Sequence, residues 1–327
     1  MNSAGVYQSW LARHQLAEAN LTQIGWIFGF YNFFSFFAGV ALGPTLDAQG
    51  PRLVTLGGAM LLLALYASLG LCRSYWHFFL CFGLLGSLST SMLFTAAMAT
   101  VQQCFSTRRG LATGIAISGG SVGGIVSPLV LGSLLPRVGF AWATRAVALI
   151  MVPFLAAALA LVRGHGPVSP RVGNEALQGR PSEHAILTAR VLVISVGAFF
   201  VELAMFIPVT YIVSYACAHN MSVDTAYTMT TLLNLGSMLG RWLPGWAGDG
   251  LGYFNTQIAA LALCLAAILG LWMPFGGSLA GLVVFVLLFG LGSGSGISLV
   301  PVCIAQLCHG EAYARTFTCV YSIGSFG

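Results

Sequence analysis

The 327-residue sequence has no lysine, so all 13 of its basic residues are arginine, and charged side chains of every kind make up only 6% of it. An ordinary soluble domain is about a quarter charged. Too few charges remain here to cover the outside of a solvated globule, which excludes that class. A net charge of +5 on a soluble protein would point to nucleic acid. These arginines instead sit in short connections between apolar runs, where they report topology, and no nucleic-acid partner is expected. The eight cysteines (72, 81, 104, 217, 264, 303, 308 and 319) contain no C-x-x-C pair and no zinc-like spacing. They read as small buried hydrophobes. The opening "MNSAGVYQSWLARHQLAEAN" lacks a basic region leading into a full apolar core, so it shows no cleavable signal peptide. No cofactor, metal or ATP site is apparent.

What fills the sequence is hydrocarbon, with 57% hydrophobic residues. Ten apolar segments are long enough to cross a bilayer as helices: 23–46, 53–73, 75–103, 111–134, 140–162, 190–217, 223–247, 255–275, 279–302 and 312–327. The expected fold class is all-α and polytopic, with about ten spans plus a partial first helix. The first twenty residues read as the outer end of an earlier helix, and the final segment stops mid-pattern. One long polar stretch, "RGHGPVSPRVGNEALQGRPSEHAILTAR", is a solvated linker. It divides the chain into an N-terminal helical bundle (1–162), a linker (163–189) and a C-terminal helical bundle (190–327).

With the linker placed in the cytoplasm, that side holds Arg52, Arg108, Arg109, Arg163, Arg171, Arg180 and Arg190, against Arg13, Arg73 and Arg137 opposite. The excess obeys the positive-inside rule. Two N-x-[ST] triplets, at Asn20 and Asn220, fall outside in this topology and are candidate glycosylation sites. The plasma membrane is favoured over a vacuolar or other internal membrane.

An internal repeat organises the two halves. "GPTLDAQGPR" (43–52) aligns with "GWAGDGLGYF" (245–254), pairing Gly43 with Gly245, Asp47 with Asp249 and Gly50 with Gly252 at one offset. Matching halves joined by a basic linker are the pattern of a parallel-repeat transporter. On these residues, together with Arg52, the sequence resembles the major facilitator superfamily, whose second-to-third helix loop carries G-x-x-x-D-[RK]-x-G-[RK]. Ala48 replaces the usual base, and Pro51 shifts the second one along. "FSTRRGLATGIAISGGSVGG" (105–124) and "GRWLPGWAGDGLGYFNT" (240–256) are similar to the monocarboxylate-porter branch, particularly its fungal members. The resemblance implies two pseudo-symmetric six-helix bundles, here truncated at both ends. It also implies gating contacts at Gly43, Asp47, Gly50, Arg52, Arg108, Arg109, Gly245, Asp249 and Gly252 that hold the outward-facing state and break as the halves rock. Asp47 and Asp249 stand where they can accept from helix N-termini or arginines; an interfacial carboxylate that only caps a helix is the alternative.

The intramembrane polar residues nominate a site. Arg241 lies eight residues before Asp249, roughly 12 Å deeper by helical rise. A cation there faces a wet cavity or a partner. Asn234, Ser237 and Arg241 share one helix face at i, i+3, i+7, with Tyr211 and Asn32 as further candidate substrate-binding donors. A snorkelling Arg241, or one bonded to a neighbouring carbonyl, is the alternative. In the resembling branch an acidic residue stands where this chain has Ser237, so the arginine can hold an anion without a local proton acceptor. Glu202 is the one mid-span carboxylate and the proton-coupling candidate; a buried neutral Glu is equally open.

Two motif matches fall away. "GGSVG" (119–123) has the G-x-S-x-G form but no preceding strand, and "GLGSGSG" (290–296) lacks the Lys-Ser/Thr of a phosphate loop. Both read as small-residue packing or, for the second, a hinge. No convergent catalytic group remains, so an enzyme is not expected. The expected function is a secondary active transporter moving a small organic solute, a monocarboxylate or related organic anion or metabolite, by alternating access, with protons as a further partner if Glu202 titrates. The alternative is a non-transporting membrane sensor or receptor, or an inactive truncated paralogue.

Overall fold

Two glycines in the same register of the repeat divide long helices into pairs. The computed structural model describes residues 7, 10–11, 14–16, 19–105, 108–162, 189–219, 221–307 and 313–326. Linker positions 163–188, Asn220 and the side chain of Asp47 lie outside the described residues. Every regular element among the described residues is helical. They are α1 (Leu21–Phe37), α2 (Gly39–Gln49), α3 (Pro51–Leu69), α4 (Tyr75–Cys104), α5 (Arg109–Leu161), α6 (Ala189–Ala218), α7 (Val223–Leu251), α8 (Tyr253–Phe275), α9 (Leu279–Leu307) and α10 (Tyr313–Gly324).

Gly50 separates α2 from α3 at φ 79°, ψ 168°, and Gly252 separates α7 from α8 at φ 93°, ψ 135°. A side chain is strained in that region, so the pair Gly50/Gly252 is needed for backbone reasons. Pro51 then opens α3 at a position where its missing N–H has no helical partner to lose. A third positive-φ glycine, Gly139 at 74°, interrupts α5 and divides it into two arms. Gln23 Oε1 accepts from the amide of Asn20 at the start of α1 (3.2 Å), and Ser222 Oγ accepts from Thr225 N at the start of α7 (3.2 Å). Wide turns of π-helix fall at Phe79–Gly86 in α4 and Ile268–Trp272 in α8.

Among the described residues seven helices are long and apolar enough to cross a membrane, against the ten segments expected from apolar runs. Of the three others, one has a reason in its own residues. Segment 111–134 lies in the first arm of α5, where the side chains of residues 125 and 127–129 are outside the described residues. Segment 223–247 lies in α7, which carries Asp224, Arg241, Asp249 and several threonines. Segment 312–327 is described over residues 313–326, of which α10 takes 12.

The chain forms two compact units. One comprises Met1–Thr100, Val122–Ser195 and Cys308–Phe326; the other comprises Val101–Ser121 and Val196–Leu307, with Gly327. The first is centred on aromatic rings: Phe82 lies 5.1 Å from Phe28, 5.4 Å from Tyr31 and 5.5 Å from Tyr7 between centroids. Its α10 runs beside α1 and α2, with Phe36 stacked on Tyr321 and Ser322 Oγ donating to the Phe36 carbonyl at 3.1 Å. In the second unit α9 is central. Buried residues make up 61% of its apolar window, against 11% for Val130–Leu161 in the first unit. Leu282, Phe285, Val286 and Phe289 form the buried stripe of α9, while Leu149, Phe154 and Leu161 on the second arm of α5 are exposed. An outward apolar face of that kind suits lipid.

Small residues let α7 and α9 touch backbone to backbone. A Cβ on Gly236 would lie 2.6 Å from the Leu287 carbonyl oxygen, and one on Gly240 would overlap that of Leu291. Reciprocally, Gly290 and Gly294 leave room for the backbones of Leu233 and Ser237. This is small-xxx-small packing on both partners. It accounts for "GLGSGSG" as a contact surface within a continuous helix.

Candidate functional site

The site is built where the start of α5, residues 109–121, crosses the second half of α7, both in the second unit. Gly110 and Gly114 recur at i, i+4 on α5. A Cβ on Gly114 would strike the carbonyl oxygen of Arg241, and one on Gly245 would sit 2.6 Å from that of Gly110. Two groups on α7 use this proximity.

Asp249 meets the start of α5. Its Oδ1 accepts from Gly110 N at 2.9 Å, its Oδ2 from Leu111 N at 3.2 Å, and Tyr253 Oη–H donates to Oδ1 at 2.8 Å. The first amides of a helix have no intrahelical acceptor and carry the positive end of its dipole. A carboxylate from another helix therefore supplies both the missing bonds and the opposite charge.

Arg241 lies deeper and is buried. Its Nη1 donates to the Ile117 carbonyl at 3.0 Å and to Ser121 Oγ at 2.7 Å. Its Nε–H, also buried, has no acceptor among the described residues. Ser121 is the serine of "GGSVG", a stretch that sequence reading treats as packing alone. The signal was weak but present: small residues at 110, 114 and 121 mark the face of α5 that α7 approaches.

The other nominated residues do not gather around Arg241. Ser237 is buried against the α9 glycines. Asn234 is exposed and donates to its own helix at Thr230 O, 3.0 Å away. The i, i+3, i+7 spacing gives one broad face, but two neighbours share it, so α9 takes Ser237 and α5 takes Arg241. Tyr211 on α6 is exposed. Glu202 on the same helix is half-buried, next to Val201, and both Val201 and Met205 approach Gly296 of α9. Asn32 belongs to the first unit and is half-buried.

Among the gating candidates, Gly43 is buried in the first unit, where a Cβ would come 2.6 Å from Thr318 Oγ1 on α10. Arg52 and Arg108 are exposed, and Arg109 Nε donates to Phe105 O at 2.8 Å. Asn20 is exposed at the head of α1. Gln102 and Thr113, which sequence reading did not single out, join the ends of α4 and α5 through a 2.9 Å bond from Gln102 Nε2 to Thr113 Oγ1. Among the described residues no group of His, Cys, Asp or Glu could hold a metal ion.

The profile of the Major Facilitator Superfamily matches residues 3–327. The riboflavin transporter MCH5 of Saccharomyces cerevisiae is 30% identical over 348 residues, covering 100% of this chain and 66% of that protein. The MFS-type transporter hasB of Aspergillus fumigatus is 33% identical, covering 94% and 71%. The aspyridones efflux protein apdF of Emericella nidulans is 30% identical, covering 94% and 61%. The chain thus spans about two thirds of the length of these relatives. Among solved structures, the transporter FucP in the outward conformation superposes with a TM-score of 0.74 at 17% identity, covering 99% of this chain and 86% of that one. The human organic anion transporter MFSD10 gives 0.70 at 18%, covering 99% and 80%. Likeness at such identity bears on the fold.

Proposed function

The chain belongs to the major facilitator superfamily, and from that premise we propose that it is a secondary transporter moving a small organic anion or related metabolite by alternating access. In this reading the segments 1–162 and 190–327 are two pseudo-symmetric bundles, α7, α10 and the first arm of α5 also cross the bilayer, and the linker is cytoplasmic. Relatives named as a riboflavin transporter and as metabolite efflux proteins support an organic solute. The monocarboxylate-porter-like motifs favour an acidic one.

The observation that carries the proposal is the Asp249 carboxylate on the amides of Gly110 and Leu111. These bonds join segments from opposite sides of the linker, at the edge assigned to the cytoplasm. They are also side-chain to backbone bonds, which can part and re-form as helices separate. Asp249 is then a gate latch, and Gly245 and Gly110 allow the approach that closes it. Two turns deeper, Arg241 is held by Ile117 and Ser121 with its Nε–H unsatisfied. A buried donor without an acceptor is unfavourable, and a carboxylate oxygen of the solute would satisfy it. Glu202 is the carboxylate that would trade a proton during the cycle.

The proposal is tested by reconstituting the full chain in proteoliposomes and measuring uptake of riboflavin and a panel of mono- and dicarboxylates with and without a pH gradient. Saturable flux of at least one probe is the expected result. Absence of flux, together with unchanged metabolite levels on deletion and overexpression, would favour a non-transporting sensor.

A further inference from the structure

Cys72 and Cys81 sit nine positions apart, a spacing that belongs to no metal or redox motif. The turn between α3 and α4 nevertheless brings their sulfurs to 3.5 Å. The chain leaves α3 through a tight turn, with Cys72 N donating to Leu69 O at 3.2 Å and Cys72 Sγ directed at Ser68 O at 3.4 Å. Cys81 comes from the π-helical stretch Phe79–Gly86, whose wider turn changes which residues face α3. Cys72 is 8% exposed and Cys81 partly buried. The two sulfurs are at van der Waals contact, and bonding requires a further approach of about 1.5 Å to reach a disulfide length. Cys264 shows the contrasting case, with its Sγ directed at the Phe289 carbonyl.

We propose that Cys72 and Cys81 form a disulfide that ties the α3–α4 turn on the non-cytoplasmic side of the membrane. The proposal rests on the orientation given above: α3 begins at Pro51, beside the Gly50 turn assigned to the cytoplasm, so Cys72 emerges at the opposite edge. That edge faces an oxidising compartment during biosynthesis. The oxidant is a lumenal thiol–disulfide oxidoreductase in its disulfide form. One cysteine thiolate of the chain attacks a sulfur of that disulfide, giving a mixed disulfide and releasing the enzyme's second thiolate. The other cysteine then attacks the chain's own sulfur in the mixed disulfide. A Cys72–Cys81 bond forms, and the enzyme leaves as a dithiol carrying the two electrons and two protons. The bond closes a short loop containing Arg73 and Ser74, so α3 and α4 are tied at that edge and turn together.

The test uses the full chain in native membranes. Free thiols are blocked with N-ethylmaleimide under denaturing conditions, and the protein is digested without reductant and analysed by mass spectrometry. The expected result is a linked peptide pair containing Cys72 and Cys81 that separates on reduction. Recovery of both cysteines as alkylated thiols would overturn the disulfide. The side of the membrane is read separately, from Arg73→Cys in a Cys72→Ala, Cys81→Ala background labelled on intact cells by an impermeant maleimide. Labelling without permeabilisation supports the proposal. Labelling only after permeabilisation overturns the orientation and, with it, the oxidant; alkylated thiols at an externally labelled turn overturn the sulfur chemistry alone.

Discussion

Asp249 and Gly110 are 139 residues apart in sequence and 2.9 Å apart in space, carboxylate oxygen to backbone amide. The same carboxylate takes Leu111 N and the Tyr253 hydroxyl, so one side chain ends one helix, opens another and fixes the residue that starts a third. Removing it should be felt in both stability and function. Asp249→Ala leaves two helix-start amides and a hydroxyl without their acceptor, a loss of about 2 kcal/mol. In detergent the variant should melt several degrees lower, and in proteoliposomes it should transport about tenfold more slowly or worse. Asp249→Asn retains one acceptor and should fall between. An unchanged melting temperature in both would mean the latch contributes nothing.

Arg241→Ala should abolish solute flux while the protein still inserts in the membrane, because Ile117, Ser121 and the solute all lose the same cation. Arg241→Lys keeps the charge but has a single donor nitrogen, so it cannot serve Ile117 and Ser121 and also replace the Nε–H offered to the solute. It should retain less than about a tenth of wild-type flux. Flux equal to wild type in the alanine variant, measured at matched membrane abundance, would remove Arg241 from the transport path.

Gly114 tests the crossing of α5 and α7 by itself. A methyl group there meets the Arg241 carbonyl, whereas one on Gly119 meets nothing within 4 Å. Gly114→Ala should lower stability by about 1–3 kcal/mol through overpacking, and Gly119→Ala should be near neutral. Equal thermal melts for the two would show that the helices part easily at Gly114.

Gly252 carries a backbone demand. At φ 93° an alanine is strained by about 1–3 kcal/mol, although open space surrounds most of the site. Gly250 has open space and an ordinary helical backbone, so Gly250→Ala should be tolerated where Gly252→Ala is not. Gly50→Ala should behave like Gly252→Ala, since its φ is 79°. Comparison of the three melting temperatures checks the pattern.

Glu202→Gln removes the half-buried carboxylate of α6 without changing its size. If Glu202 trades the proton, the variant's uptake should no longer rise with an imposed pH gradient, while exchange of solute for solute continues. A pH response identical to wild type would assign the proton to another group.

Much of this architecture can be read in the residues themselves. Scarce charge and long apolar runs give an all-helical membrane protein, and the Gly43/Asp47/Gly50 repeat leads to the superfamily. The repeat also marks both turn glycines, because only glycine tolerates that backbone. Crossing contacts are harder to read. Ser237 and Arg241 lie on one helix face, yet which neighbour each meets depends on where α5 and α9 pack, and nothing in α7 encodes that. Ile117 and Ser121 offer a carbonyl and a hydroxyl that look the same in any helix. Cys72 and Cys81 meet through a turn whose geometry no spacing rule describes. Mean hydropathy passes over α7 for a related reason: it packs on α9 and α5 by small residues, and its polar residues lower its own hydropathy.

The pairing of Phe36 with Ser322, 286 residues apart, bears on how the polypeptide is made. α1 and α2 leave the ribosome before the helix that covers Gly39 and Gly43, which follows Val196–Leu307 of the second unit in the chain. Until then those glycines face lipid or an insertion chaperone. The first unit therefore completes only after the second has been synthesised, and nascent-chain misassembly should concentrate on the uncovered flank of α2.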